Sequence, residues 1–336
     1  MLAYVLHRYG GADGIDLREV PAPTPGPGEV LIQVRAAGLN PIDFKTRDGK
    51  LRPILRYRLP QILGGEVAGV VAACGAGVDR LREGDRVFAR LDKRRLGGFA
   101  EQVACRQELI ARVPDGLDLV PAAGLPLAGL TALQALRDQL HAGPGVRLFV
   151  PGGAGGVGTL AIQIAKALGA EVITTASPRG EALVRRLGAD EVIDYTRERF
   201  EDRVSGVDGA LDLVGGDTLA RAFAVVKRGG LVVSIAGVPE PTTAREDMQA
   251  GLGLQALFWA ASFGLRAKAR RHGVRYRYLF MRPDGDDLAE LARMNEAGAL
   301  EVVVDRVLPF AEIAAAMAHL ESGRAKGKVI VRMGEA

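Results

Sequence analysis

Residues 149–180, FVPGGAGGVGTLAIQIAKALGAEVITTASPRG, run from an apolar stretch through clustered glycines into an alanine- and isoleucine-rich stretch and then a second apolar run. The order reads as strand, tight turn, helix and strand. Gly153, Gly155 and Gly158 satisfy G-x-G-x-x-G where strand gives way to helix, and Gly156 and Val157 lie inside the same turn. Glycines at these places permit a tight turn, admit a pyrophosphate close to the backbone and seat the helix against the strand. The helix start adds unpaired N–H groups and a partial positive charge, both favourable to phosphate. The expected ligand is a dinucleotide bound mainly through backbone.

The second strand identifies which dinucleotide. NAD-binding versions of this unit carry an acid about 20 residues after the glycines, where it bonds the ribose hydroxyls. Here that strand ends TTASPRG, without an acid. Ser177 and Arg179 stand there instead, a hydroxyl and a fixed cation suited to a 2′-phosphate. The expected cofactor is therefore NADP(H). Tyr195, closing EVIDY, is a further candidate at the adenosine end, and Ala236 and Gly237, closing LVVSIAG, complete the cofactor contacts expected along the strand ends.

Working outward, apolar runs VRLFV, EVITTA, EVIDY, GALDLV, LVVSIAG and YRYLFM alternate with helical stretches from about Pro121 onward. That alternation is the signature of a parallel sheet with crossover helices. The preceding part is different: EVLIQVRAAGLN, EVAGVVAACG, DRVFAR and FAEQVAC are short β-branched runs punctuated by glycine, suggesting a mostly antiparallel domain. VPAPTPGPGEV is too proline-rich for helix or central strand and reads as an exposed connection. The closing helix FAEIAAAMAHLESG and strand GKVIVRM are expected to rejoin the first domain, making it discontinuous.

With 336 residues the chain has room for two cores. Hydrophobic residues at 48% and charged residues at 25% are the mix of a globular protein and argue against disorder or a fibrous repeat. The formal charge is +4, but the cations are interleaved with acids, so no specific nucleic-acid partner is expected. Cys74 and Cys105 are far apart and form no CxxC, which supports neither a disulfide framework nor a cysteine-built metal site. With an N-terminus lacking a basic and then apolar leader, the expected location is the cytoplasm. Residues 250–273, AGLGLQALFWAASFGLRAKARRHG, turn from apolar to basic. They are short and glycine-interrupted for a membrane span, which needs about 20 predominantly apolar residues. A packed helix covering a cleft or subunit interface is expected, with a surface membrane helix, Phe258 and Trp259 on its apolar side, as the other reading.

The segments AAGLNPIDFKTRDGKL, LGGEVAGVV, GDRVFAR, GGFAEQVAC, PLAGLTALQAL, LGADEVIDY and GRAKGKVIVRM, together with the glycine turn, resemble the medium-chain dehydrogenase/reductase superfamily in family order. The resemblance is to its zinc-free quinone oxidoreductase branch, and NPIDFKTRDGKL is most similar to the 2-alkenal and enone reductases. It implies an α/β fold with a GroES-like β domain over 1–122 and 305–336 and a doubly wound, parallel-sheet Rossmann domain over 123–304. Zinc-dependent relatives place a cysteine near Asn40 and a histidine at Gly65, so the resemblance implies no metal here. It also implies Asn40 and Lys45 at the nicotinamide end, Thr131 packed near the nicotinamide, and Phe280, Met281, Lys326 and Lys328 as further cofactor or pocket contacts. Several quinone reductases carry a pocket tyrosine where this chain has Leu51; Tyr57 is the candidate replacement hydroxyl. The implied reaction is NADPH-dependent reduction of the C=C bond of small, apolar α,β-unsaturated carbonyls by a homodimer. Quinone reduction and a catalytically idle, crystallin-like NADPH-binding role are the alternatives.

Overall fold

The β-branched runs at the start of the chain form β1 (Leu2–Leu6), β2 (Ile15–Glu19), β3 (Glu29–Leu39), β4 (Gln61–Ile62), β5 (Glu66–Cys74), β6 (Arg86–Arg90), β7 (Gln102–Arg106) and β8 (Ile110–Arg112) in the computed structural model, which describes residues 1–334. Helix α1 (Pro41–Arg47) follows β3. It begins at a proline, whose missing N–H is harmless in the first turn, and Asp43 Oδ2 accepts the Asn40 N–H at 2.7 Å to close its start. Helices α2 (Leu119–Ala122) and α3 (Pro126–Leu133) lead into β9 (Arg147–Val150).

From there strand and helix alternate: α4 (Gly156–Ala167), β10 (Glu171–Ala176), α5 (Pro178–Arg186), β11 (Glu191–Asp194), β12 (Val207–Asp212), α6 (Gly216–Val225), β13 (Val226–Ser234), α7 (Leu252–Arg271) and β14 (Arg275–Tyr278). Helix α8 (Gly285–Glu296), β15 (Val304–Pro309), α9 (Ile313–Glu321) and β16 (Lys328–Arg332) complete the chain.

Two compact units result, residues 1–130 with 283–334, and residues 131–282. In the first, β15-β16-β3-β5-β6-β8 form a sheet in which β7 also pairs with β3, and β2-β1-β4 form a small second sheet. The return of β16 onto β3 is antiparallel, with Ile330 opposite Gly38, so the first unit is discontinuous. Its core gathers Ile32, Val34, Val67, Val87, Phe99 and Val329. In the second unit every strand pair is parallel, in the order β11-β10-β9-β12-β13-β14. This is the doubly wound dinucleotide order. Its core includes Phe149, Ile173, Ile193, Phe223 and Val232.

The division falls after Leu130 and Arg282, rather than after residues 122 and 304 as the family resemblance implies. The cause at the second boundary is local. Gly285 opens α8 so close to the β8 segment that a Cβ there would lie 2.7 Å from the carbonyl oxygens of Glu108 and Ile110. That contact ties α8 to the first unit although its sequence continues the helical texture of the second.

Candidate functional site

The glycine turn sits at the carboxyl end of β9, pinned to β10. Thr174 Oγ1 donates to the Val150 carbonyl at 2.6 Å, and Thr175 Oγ1 accepts from the Gly152 N–H at 3.0 Å. Two of the glycines are demanded by this packing. A Cβ at Gly153 would lie 2.1 Å from Thr174 Oγ1, and one at Gly158 would lie 2.4 Å from the Gly152 carbonyl. Gly155 differs, since a Cβ there meets nothing nearer than 3.4 Å. Protein packing therefore explains Gly153 and Gly158 but not Gly155, which leaves room before the first turn of α4. Among the described residues no side chain caps that helix, so the first-turn N–H groups around Gly156 and Val157 are left for an external acceptor. The cradle fits a pyrophosphate.

One strand over, the register of β10 with β11 pairs Ala176 with Asp194. Ser177 and Tyr195 are the next residues of each, so the two end neighbouring strands side by side. Ser177 is the N-cap of α5 and makes no side-chain cap bond, and Arg179 is the second residue of that helix and exposed. A hydroxyl and a guanidinium thus share one helix start. Tyr195 is exposed as well.

Ala236 and Gly237 follow β13, where Ser234 Oγ donates to Asp212 Oδ2 at 2.6 Å and accepts from the N–H of both, at 3.2 and 2.8 Å. Phe280 and Met281 follow β14. Their segment is held from two sides: Phe280 N–H donates to Asp247 Oδ2 at 3.2 Å, and Gln134 exchanges two 3.0 Å bonds with the backbone of Arg282. Asp247 is itself bound by buried Arg277, which also reaches Glu240 and Thr243 at 2.9 and 2.8 Å. Gln134, Asp247 and Arg277 went unrecognised in sequence because each reads as an ordinary helix or strand residue. Thr131 is buried within α3.

The first unit holds a buried polar cluster at the start of α1. Lys328, 3% exposed, donates from Nζ to the Leu39 carbonyl at 3.2 Å, to Asn40 Oδ1 at 2.5 Å and to Glu66 Oε1 at 2.8 Å. Asn40 Nδ2 donates to the same Glu66 oxygen at 2.6 Å, and Leu127 N–H caps the other at 2.6 Å. All three donors of Lys328 are matched, so its place is inside this cluster, where it fixes the Asn40 amide. Burial, with Glu66 adding repulsion, pushes the Asp43 carboxyl up to about 7 against the opposing Asn40 N–H, Arg90 and Lys328. Tyr57 is buried, its hydroxyl donates to the Lys93 carbonyl at 2.6 Å, and burial raises it to about 12. Lys45 is half-buried on α1, with no side-chain partner among the described residues. Lys326 is half-buried, its N–H bound to Asp305 Oδ1 at 3.0 Å.

Comparison with known proteins agrees with this architecture. Residues 26–115 match the family model described as an alcohol dehydrogenase GroES-like domain, and residues 187–331 match one described as a zinc-binding dehydrogenase. The chloroplastic NADPH-dependent alkenal/one oxidoreductase of Arabidopsis thaliana is 36% identical over 98% of this chain and 79% of its own. Among solved structures, a quinone oxidoreductase from Coxiella burnetii is 31% identical with a TM-score of 0.85, covering 99% of both chains. The Escherichia coli quinone oxidoreductase complexed with NADPH is 26% identical with a TM-score of 0.82, over 99% of this chain and all of the other. Zinc, named in the second description, does not fit the residues here. The Lys328 ammonium sits between Asn40 and Glu66, and a side chain at Gly65 would meet Arg90 Nη1 at 2.6 Å.

Proposed function

Because the chain belongs to the medium-chain dehydrogenase/reductase superfamily, we propose that it is an NADPH-dependent reductase of the C=C bond of small, apolar α,β-unsaturated carbonyls, acting without zinc. The observation that carries the cofactor is the glycine turn, roomy at Gly155, beside a β10 end that carries no acid and leads into a helix start offering Ser177 and Arg179. The substrate class is supported by the alkenal/one activity in the name of the Arabidopsis relative, and the named quinone oxidoreductases support quinones as the second acceptor class.

Bound NADPH would supply a hydride to the β-carbon of a C=C–C=O unit, leaving charge on the carbonyl oxygen until a proton reaches the α-carbon. The chain's part is to hold the reactants and steady that charge. Donors preorganised toward a developing oxyanion are worth two to three orders of magnitude in rate, roughly 3–4 kcal/mol. Lys45 is the cation we assign to it, having no partner of its own among the described residues. Asn40, locked by Lys328 and Glu66, supplies a rigid amide at the head of the same helix. Tyr57 contributes its oxygen and shape rather than a proton, because its hydroxyl already donates to the Lys93 carbonyl. In the second unit, Phe280 and Met281, in a segment held by Asp247 and Gln134, and Thr131 are the further cofactor contacts we assign; in the first, Lys326.

The reading includes a cytoplasmic homodimer joined along the outer edge of β14, which has no partner strand among the described residues. It includes no specific nucleic-acid partner. The test is oxidation of NADPH, against NADH, with a panel of 2-alkenals, vinyl ketones and simple quinones. Faster NADPH consumption with the enones supports the proposal. Turnover confined to quinones selects the second acceptor class, and NADPH binding without turnover of any acceptor contradicts both.

A further inference from the structure

Among the described residues, helix α7 leaves one face without a partner. Its inner face is spent on the second unit, where Phe258, Ser262 and Ala269 are buried and Leu265 packs against the core. Outward, Leu252, Ala256, Trp259 and Phe263 recur at the spacing of one helical face. Leu252 is 82% exposed, Leu257 52%, Trp259 53% and Phe263 50%. Trp259 and Phe263 stack at 5.5 Å between centroids. Elsewhere the exposed large apolar residues occur singly or, as with Leu2 and Leu17, in a pair, so this run is a patch rather than the normal sprinkling.

The carboxyl end of the same helix is cationic. Arg266, Lys268, Arg270 and Arg271 give α7 four positive charges and no acid, as many as the whole chain's formal +4. The Gly229 N–H bonds the Gly273 carbonyl at 2.8 Å, which brings exposed Arg228 beside this end, and exposed Arg275 follows it. Arg228, Lys268, Arg270, Arg271 and Arg275 have no ion-pair partner among the described residues, whereas Arg18, Arg47, Arg112, Arg147, Arg203 and Arg221 are all paired with carboxylates.

We infer that the outer face of α7 docks the protein onto an anionic lipid surface, with the Trp259–Phe263 stripe entering the interface and the Arg270–Arg271 corner meeting the headgroups. No described helix is long and apolar enough to cross a membrane, so the contact is peripheral. Apolar aromatics joined to lysine and arginine are the composition that such interfaces favour. A nucleic acid would use the cations but not the leucines and aromatics. A second copy of the chain would offer this face no acid from its own α7. An anionic bilayer satisfies both halves of the surface.

Trp259 is the sole tryptophan, so its emission reports the patch directly. The full chain is titrated with vesicles of phosphatidylcholine alone and of equal parts phosphatidylcholine and phosphatidylglycerol, with co-sedimentation alongside. A blue shift and co-sedimentation with the anionic vesicles, weakened by salt, are expected. Each cation near an anionic surface is worth about fivefold in partition, so Arg270→Gln with Arg271→Gln is expected to weaken binding roughly thirtyfold. Phe263→Glu is expected to abolish binding while leaving reductase turnover in solution intact. No shift with either vesicle overturns the inference. So does a lipid-free dimer that Phe263→Glu splits into monomers, or tighter binding to duplex DNA than to anionic vesicles.

Discussion

Replacing Lys328 by methionine keeps the aliphatic stem and removes the ammonium that neutralises Glu66. Glu66 is fully buried, and the pair stands 2.8 Å apart. At an effective dielectric of about 20, that separation corresponds to roughly 6 kcal/mol of attraction before desolvation is counted. Removing one member of a buried pair strands the other, at a net loss of about 3–5 kcal/mol. The first unit should lose that amount, with its melting temperature falling by about 6–20 °C. The double variant Lys328→Met, Glu66→Gln removes the stranded charge and should recover most of the loss. Scanning calorimetry of the wild type, both singles and the double gives the coupling energy between the two positions. A Lys328→Met protein within about 1 kcal/mol of wild type, or a double variant no better than the single, would refute the view that this buried pair organises the head of α1.

Three further outcomes follow from the geometry. Asp43, raised to about 7 chiefly by burial, favours the protonated form in the fold; its contribution is complete below the unfolded carboxyl value of about 3.9, is lost as pH rises toward 7 and is level above that, a span of at most about 4 kcal/mol. Asp43→Asn should remove this dependence, so the variant's melting temperature should rise relative to that of the wild type from pH 4 to 7; a constant difference contradicts the assignment. Arg179→Gln should raise the Kd for NADPH by about tenfold to a hundredfold, the worth of a charge-assisted bond, and leave the Kd for NADH unchanged, as isothermal calorimetry would show. Arg277→Met strands Glu240 and Asp247, which Arg277 holds at 2.9 and 2.6 Å; it should cost the second unit about 3–5 kcal/mol and weaken NADPH binding by loosening Phe280, with Arg277→Lys recovering part of both.

How much of this was legible in the sequence depends on how far apart the partners lie. The glycine turn and its flanking strands are local, and each apolar run from VRLFV to YRYLFM became a parallel strand within a few residues of its expected limits. Ser177 and Tyr195 were named separately; only the parallel register, Ala176 opposite Asp194, makes them neighbours. Lys328 and Glu66 are 262 positions apart. Each reads as a polar residue at the head of an apolar strand, and no periodicity announces that the two heads meet. The family resemblance implies Lys328 at the cofactor, yet its three donors are taken inside the first unit. Residues 283–304 continue the helical texture of the second unit, and contacts distant in sequence, such as Gly285 against Glu108 and Ile110 and Asp286 with Arg80, assign them to the first. In α7 the sequence showed apolar and then basic composition, but not that Phe258 points inward and Trp259 outward.

The most direct test of the account follows the hydride itself. NADPH carrying deuterium at the transferable C4 position is incubated with the protein and a 2-alkenal or vinyl ketone, and the product is examined by mass spectrometry and NMR. A saturated carbonyl product with deuterium on the β-carbon is expected. Deuterium on the former carbonyl carbon of an allylic alcohol, or a saturated product without label at the β-carbon, would contradict it.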